Sequence, residues 1–349
     1  MKIGIVTGKR GGFDAMLPLM KCLEESSEHE LVVFVVDQHT MPMFGHTDEE
    51  VEKALLTTPV IRIQAAEGDG PFVRSLNCAR VLSTLPLETL DYMVVYGDRG
   101  ESLAAAHAAL IHGIPIIHLE AGETTGTIDD KTRWAISSLA DICFAPTSLA
   151  AGALEERGIS KYLISGDLHL DAYNNMVSFN SVADHLGYSP TEVAIVLFHP
   201  DPGDPDNENI DQAIRCLLEL DHHIVAIYPC SDPGHQDIIN ILHGWDGDIE
   251  VYPNLPGPIF RTLLREADII VGNSSAGIKE APYVHTYAID IGSRQKGRER
   301  EYCTYHSNKG DILNLIESVT EHPITPDRLK YPYGKGDATG IVYRWINGQ

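Results

Sequence analysis

The chain has 349 residues, 43% hydrophobic and 22% charged, which suits a globular protein of about two domains. Its 26 basic and 50 acidic side chains give a formal net charge of −24, arguing against nucleic-acid backbones and anionic membranes as partners. No run approaches the ~18 apolar residues of a membrane span. The opening MKIGIVTGKRGG does not read as a signal peptide, and six scattered cysteines without a CxxC pair fit a reducing cytoplasm.

In chain order, Lys2 to Thr7 reads as a buried strand. Gly8-Lys9-Arg10-Gly11-Gly12 forms the turn into an amphipathic helix carrying Phe13, Met16, Leu19 and Leu23. Strand, glycine turn and helix open a βαβ unit, but the GxGxxG spacing of a dinucleotide site is absent. Two cations at a helix start suit an anionic ligand, and a solvated turn explains them equally well. Strands follow at 30–36 and 60–63, separated by a long loop with His39 and His46. After a helix at 71–85 comes strand Asp91–Tyr96, ending in Gly97-Asp98-Arg99-Gly100, an acid and an arginine at the ligand edge of a parallel sheet.

An alanine-rich helix (101–112) leads to strand Ile114–Ile117 and then to HLEAGETTGTIDD, residues 118–130. This loop holds His118, Glu120, Glu123 and Asp129. An acidic first helical turn accounts for Asp129 and Asp130, but not for Glu120 directly on a strand end, so a catalytic loop is favoured. Strands at 141–145 and 161–165 alternate with a helix at 147–157, the rhythm of a doubly wound parallel sheet. The Asn-, Ser-, Gly- and Pro-containing stretch 174–192 breaks that rhythm and reads as a domain linker.

A second α/β set begins at Val193–Phe198 and ends its first strand in His199-Pro200. Further strands fall at 224–228, 268–271 and 286–291, with helices at 234–242, 258–266, 278–282, 311–320 and 340–346. The GNSSAG turn (272–277) offers backbone N–H groups and two hydroxyls to a phosphate, with Glu280 placed for ribose hydroxyls. The GSRQKGR turn adds Arg294 and Arg298. Together they favour a nucleoside-diphosphate site in the second half. Two such halves with facing strand ends predict a cleft. The adjacent pair His222-His223 lacks metal-ligand spacing, and no metal site is expected.

Four stretches, GDRG (97–100), HLEAGETTGTIDDKTRW (118–134), GNSSAGIKEAP (272–282) and IGSRQKGR (291–298), resemble the UDP-N-acetylglucosamine 2-epimerases, specifically their hydrolysing branch. That branch makes N-acetylmannosamine or a related sugar for sialic-acid-type synthesis. The resemblance runs the whole chain and implies the GT-B fold, two doubly wound Rossmann-like α/β domains facing a cleft. It implies an N-terminal domain over 1–173, on which a closing helix at about 338–349 packs back. A linker at 174–192 and a nucleotide-binding domain over 193–337 complete the chain.

Matched by position, Asp98, Glu120 and Asp129 stand as the acid/base carboxylates and His199 as the histidine of the HP pair. Arg10 faces the diphosphate and Arg99 stands beside the first acid. His39 and Gly45 lie in a His-containing loop, and Asp171 belongs to a GxxxxD turn. Ser274, Ser275, Gly277, Glu280 and Arg294 bind the UDP phosphates and ribose. Trp134 and Cys230 stand where the family usually has His and Asn, which bears on sugar or base specificity. The resemblance implies a nucleotide sugar as the partner molecule, no cofactor, and a homodimer or homotetramer. Rival readings are the reversible non-hydrolysing epimerase, a glycosyltransferase on the same fold, and a nucleotide-sugar-binding regulator.

Overall fold

The computed structural model describes residues 1–349 except 43–46, 65–69, 190, 202, 205–206, 231, 308–310 and 321–322, so Gly45, His46 and Ser231 lie outside the described residues. The chain divides into two compact units, Met1–Ala172 with Tyr333–Gln349, and Tyr173–Pro332.

The first unit runs β1 (Lys2–Thr7), α1 (Arg10–Glu25), β2 (Glu30–Val35), α2 (Thr47–Ala54), β3 (Val60–Arg62), α3 (Pro71–Leu82), β4 (Tyr92–Tyr96) and α4 (Gly100–Ile111). It continues with β5 (Ile116–Leu119), α5 (Asp129–Leu139), β6 (Ile142–Ala145), α6 (Ser148–Glu156), β7 (Tyr162–Ile164) and α7 (Leu168–Asp171). The strands form a parallel sheet in the order β3-β2-β1-β4-β5-β6-β7. Neighbouring strand residues point into two different apolar cores. Ile3, Ile5, Leu31, Val33 and Val35 join one core, and Val6, Val32, Phe34 and Val36 join the other with the alanines of α4. Both faces are buried, which is why these strands read as unbroken hydrophobic runs.

The second unit contains α8 (Phe179–Leu186), β8 (Val193–Leu197), α9 (Glu208–Glu219), β9 (His223–Ile227), α10 (His235–His243), β10 (Glu250–Tyr252) and α11 (Gly257–Glu266). It ends with β11 (Ile269–Gly272), α12 (Ser275–Lys279), β12 (Tyr287–Ile291), β13 (Thr304–Ser307) and α13 (Ile312–Thr320). Its parallel sheet is ordered β10-β9-β8-β11-β12-β13. The same alternation recurs: Ala194, Val196 and Phe198 enter one core, and Val193, Ile195 and Leu197 the other. The chain is thus a pair of doubly wound Rossmann-like α/β units.

Two boundaries differ from those read in the sequence. The expected linker 174–192 contains α8, which buries Val182 and packs on α11 within the second unit. The Ser and Gly that suggested a linker are its caps. Ser178 accepts the Ser181 N–H, and Gly187 closes the helix at φ 85°. The expected C-terminal domain ends at Pro332 rather than 337, because the Tyr333 carbonyl already accepts the Asp167 N–H in the first unit at 2.8 Å. From there α14 (Ala338–Asn347) lies along α1. Val342 and Ile346 enter the core, and Trp345 meets Tyr92 and Phe144 edge-on at 5.7 and 5.9 Å. Among the described residues no helix is long and apolar enough to cross a membrane.

Candidate active site

Winding of the first sheet reverses between β1 and β4, and the carboxyl ends of strands flanking such a switch point are where open α/β sheets hold ligands. A pocket lies there, lined by Thr7, Gly8 and Lys9 at the end of β1 and by Tyr96, Gly97, Asp98 and Arg99 at the end of β4. One strand further on, the loop after β5 begins at Glu120, 5% exposed and held at φ 61°. A non-glycine residue in that conformation costs energy that the surrounding packing must supply. Gly122, at φ 86°, has no alternative, since a Cβ there would stand 2.3 Å from the Ala150 carbonyl oxygen.

Arg133, on α5 and only 1% exposed, ties these pieces together. Its Nη2 pairs with Asp98, while its Nη1 donates to the Glu123 carbonyl at 2.7 Å and to Asp130 at 3.0 Å. Asp130 in turn accepts the N–H groups of Thr125 and Gly126 and the Thr125 hydroxyl, each at 2.8 Å. The acidic loop is therefore built around a buried arginine paired with two carboxylates. Asp129 is half-buried at the start of α5 and accepts the Thr127 hydroxyl at 3.3 Å.

His118 holds the neighbouring turn. Its Nε2–H donates to the Gly97 carbonyl at 2.7 Å, so Nδ1 accepts from Ser137 at 3.0 Å. Burial lowers its pKa to about 4, leaving a neutral ring. Tyr96 is the residue that sequence reasoning missed. Burial and the charges of Glu120, Asp167, Glu123 and Asp98 push its pKa well above the usual value. Its hydroxyl lies 3.0 Å from His169 Nδ1.

Four residues carried over as binders have protein partners in this structure. His39 is fully buried, with Nε2 3.0 Å from the Thr7 hydroxyl and Nδ1 2.8 Å from the Thr47 hydroxyl. Both ring nitrogens are thereby engaged. Arg99 lies between Asp37 at 3.0 Å and Glu101 at 2.8 Å. The Asp171 carboxylate caps α14, accepting the N–H groups of Ala338 at 3.1 Å and Thr339 at 3.0 Å. Arg10 forms a two-pronged pair with Glu50, with Nε at 3.0 Å from Oε2. That is the same fork an arginine presents to phosphate.

In the second unit the expected residues gather at the carboxyl ends of β8, β11 and β12. Asn273 holds His199 by both main-chain groups, accepting its N–H at 2.6 Å and donating to its carbonyl at 2.8 Å. Gln295, fully buried in an otherwise charged turn, donates to the Asn273 carbonyl at 2.8 Å. Three loops are so fastened to one another. The Cys230 N–H donates to His199 Nδ1 at 3.1 Å, which places the ring hydrogen on Nε2. The Cys230 thiol donates to Asp232 at 3.0 Å, and Arg294 reaches the same carboxylate at 3.4 Å.

Ser274 caps α12, Ser275 opens it, and Glu280 ends it while accepting the Tyr173 hydroxyl at 2.9 Å. Gly277 sits inside this helix, where an added Cβ would stand 3.5 Å from that of Ala288 on β12. The divergent Trp134 carries the Arg157 guanidinium 3.7 Å above its ring. Among the described residues no cluster of three or more His, Cys, Asp or Glu side chains is arranged to hold a metal ion.

Two doubly wound parallel-sheet units of this kind make up the GT-B class. A family profile described as UDP-N-acetylglucosamine 2-epimerase matches residues 21–347, and the chain belongs to that family. The UDP-N-acetylglucosamine 2-epimerase of Neisseria meningitidis serogroup B is 29% identical over 328 residues, covering 92% of this chain and 87% of its own. A UDP-N,N'-diacetylbacillosamine 2-epimerase (hydrolyzing) from Legionella pneumophila is 30% identical over 365 residues, covering 99% and 95%. Among solved structures, the Neisseria meningitidis UDP-GlcNAc 2-epimerase bound to UDP-GlcNAc superposes with a TM-score of 0.82 over the whole of both chains. At 19% identity that likeness speaks to the fold alone.

Proposed function

We propose that this protein is a hydrolysing nucleotide-sugar 2-epimerase. It converts UDP-N-acetylglucosamine, or a relative altered at C4 or C6, with water to the free 2-epimeric sugar and UDP. The observation that supports this most is a pair of carboxylates in unlike surroundings at one strand edge. Asp98 is open to solvent on one side and held by Arg133; Glu120 is buried at a strained strand end. Chemistry that takes a proton from one face and returns one to the other needs two such groups.

In the first step a carboxylate takes the C2 proton. The C–H electrons become the C1–C2 double bond of a glycal as the C1–O bond breaks, and its electron pair leaves with UDP. In the second, water adds to C1 and a proton is delivered to the opposite face of C2, with Asp129 the third acid of the set. His199, with its ring hydrogen on Nε2, the Ser274-Ser275 turn and Arg294 offset the charge growing on the departing diphosphate. Arg10 exchanges the Glu50 carboxylate for phosphate oxygens. The reaction consumes only water, so no redox cofactor enters it.

The Legionella relative, hydrolysing by name, favours this branch. The test is incubation with UDP-N-acetylglucosamine and UDP-N,N'-diacetylbacillosamine, following free UDP and the sugar product by NMR. Free UDP equal to the epimerised sugar is expected. A UDP-linked epimer with no free UDP would assign the protein to the reversible branch. Asp98→Asn, Glu120→Gln and Asp129→Asn should each lower kcat at least ~100-fold.

A further inference from the structure

The ladder between β4 and β5 is cut short just before Asp98. The Gly97 N–H still donates to the Leu119 carbonyl at 2.9 Å, and a regular parallel ladder would return the Ala121 N–H to the Gly97 carbonyl. With Glu120 turned to φ 61°, the Ala121 N–H donates instead to the Phe144 carbonyl of β6 at 3.0 Å. Buried side chains close the gap. The Ser102 hydroxyl donates to the Tyr96 carbonyl at 2.7 Å, and His118 Nε2–H to the Gly97 carbonyl at 2.7 Å.

His118 is fully buried, so a bare Nδ1 would be costly. The Ser137 hydroxyl meets it at 3.0 Å, which keeps the ring proton on Nε2. Ser137 follows Arg133 by four residues on α5, so both lie on one face of that helix. Arg133 pairs with the Asp98 carboxylate. One helix therefore grips the Gly97-Asp98 turn twice, at the carboxylate through Arg133 and at the preceding carbonyl through Ser137 and His118. Rotation of the peptide between Gly97 and Asp98 would carry the carboxylate off its arginine. We propose that His118, backed by Ser137, is a positioning residue for Asp98, locking that peptide so that the carboxylate stays seated on Arg133. The role rests on the acid/base reading of Asp98 given above.

His118→Leu removes both hydrogen bonds and keeps the bulk. Its kcat should fall ~10- to 100-fold with KM within about threefold of wild type, since alignment for proton transfer is lost while the binding groups stay. His118→Gln, whose amide N–H reaches the place of Nε2–H, should keep most of the rate. Because His118 acts through Asp98, His118→Leu should cost less than about threefold once Asp98 is already Asn. A full loss in that background, wild-type kcat in His118→Leu, or no relief by Gln would each overturn the proposal. Should His118→Leu not fold, Ser137→Ala carries the same cycle, with kcat down ~3- to 10-fold alone and unchanged beside Asp98→Asn.

A second measurement needs no turnover. In the free protein the 13C-labelled Asp98 carboxyl should titrate about one unit higher in His118→Leu or Ser137→Ala than in wild type, as the carboxylate slips from Arg133. Lys9, Arg99 and Glu101, which line the same pocket, are unaltered in these variants. If the carboxyl does not move, the proposal falls. If it moves in a protein that consumes no nucleotide sugar, the proposal stands and the reaction assigned above fails.

Discussion

Asp171 shows how a residue with a ligand-like setting in the sequence can be committed elsewhere. The GxxxxD turn suits a nucleotide site, yet its carboxylate receives the first free N–H groups of α14 from a position more than 160 residues earlier. Nothing local marks that use. The protein partners of His39, Arg99 and Arg10 are equally unmarked, since Thr47, Asp37 and Glu50 lie in separate segments of the chain. Glu120 differs: a carboxylate at a strand end with no helix to cap was readable from its neighbours alone. Asp171→Ala should lower stability by about 1–2 kcal/mol, the usual cost of a lost helix cap, and leave UDP affinity unchanged. Denaturant melts beside calorimetric UDP titration separate this from a ligand role, which would reverse the two results. Gly122→Ala meets both a left-handed backbone and the Ala150 carbonyl. It should fail to accumulate as folded protein when soluble yield and circular dichroism are compared with wild type.

Among elements, the buried strands and the motif-bearing turns could be read because hydrophobic runs and glycine turns are local signals. The two edges of the second sheet could not. β10 is only Glu250–Tyr252 and half-exposed, and β13, Thr304–Ser307, is mostly polar, so neither shows the apolar run that reveals a central strand. The ties between loops were equally hidden. The sequence pointed to His199, Ser274 and Arg294, but Asn273 and Gln295, which hold those turns in register, have side chains common to any loop. Asn273→Ala removes both hydrogen bonds to the His199 backbone. It should cost about 1–3 kcal/mol of stability and weaken UDP binding roughly tenfold or more through the displaced turn. Gln295→Ala should reproduce the binding loss by releasing the Arg294 loop. Calorimetric titration with UDP checks both, and unchanged affinity in each would show that the turns hold their shape without these ties.

For the molecule as a whole, buried histidines set the response to acid. His39 and His118 both have pKa values lowered to about 4, chiefly by burial, against about 6.5 in an unfolded chain. As pH falls from 6.5 towards 4 the unfolded chain takes up protons that the folded one refuses, so stability is full above that window and declines through it. The loss is on the order of 3 kcal/mol for each ring. Asp171, raised by burial to about 6, acts in the opposite sense. Its folded form binds the proton first between about 4 and 6, so acidification there restores stability and offsets roughly one histidine. Denaturation midpoints at pH 7 and 4.5 should therefore show a net loss. His39→Gln, which keeps a donor and an acceptor between the two threonines, should flatten the slope.

The return of α14 to α1 has a consequence for how the protein is made. Ribosomes deliver the chain from its amino end, and most domains close as they emerge. Here the hydrophobic stripe of α1 waits for Val342 and Ile346, so the earliest unit to be synthesised is the last to be finished. A nascent chain halted after Pro332 should display that uncovered stripe and bind chaperones until the final helix leaves the exit tunnel.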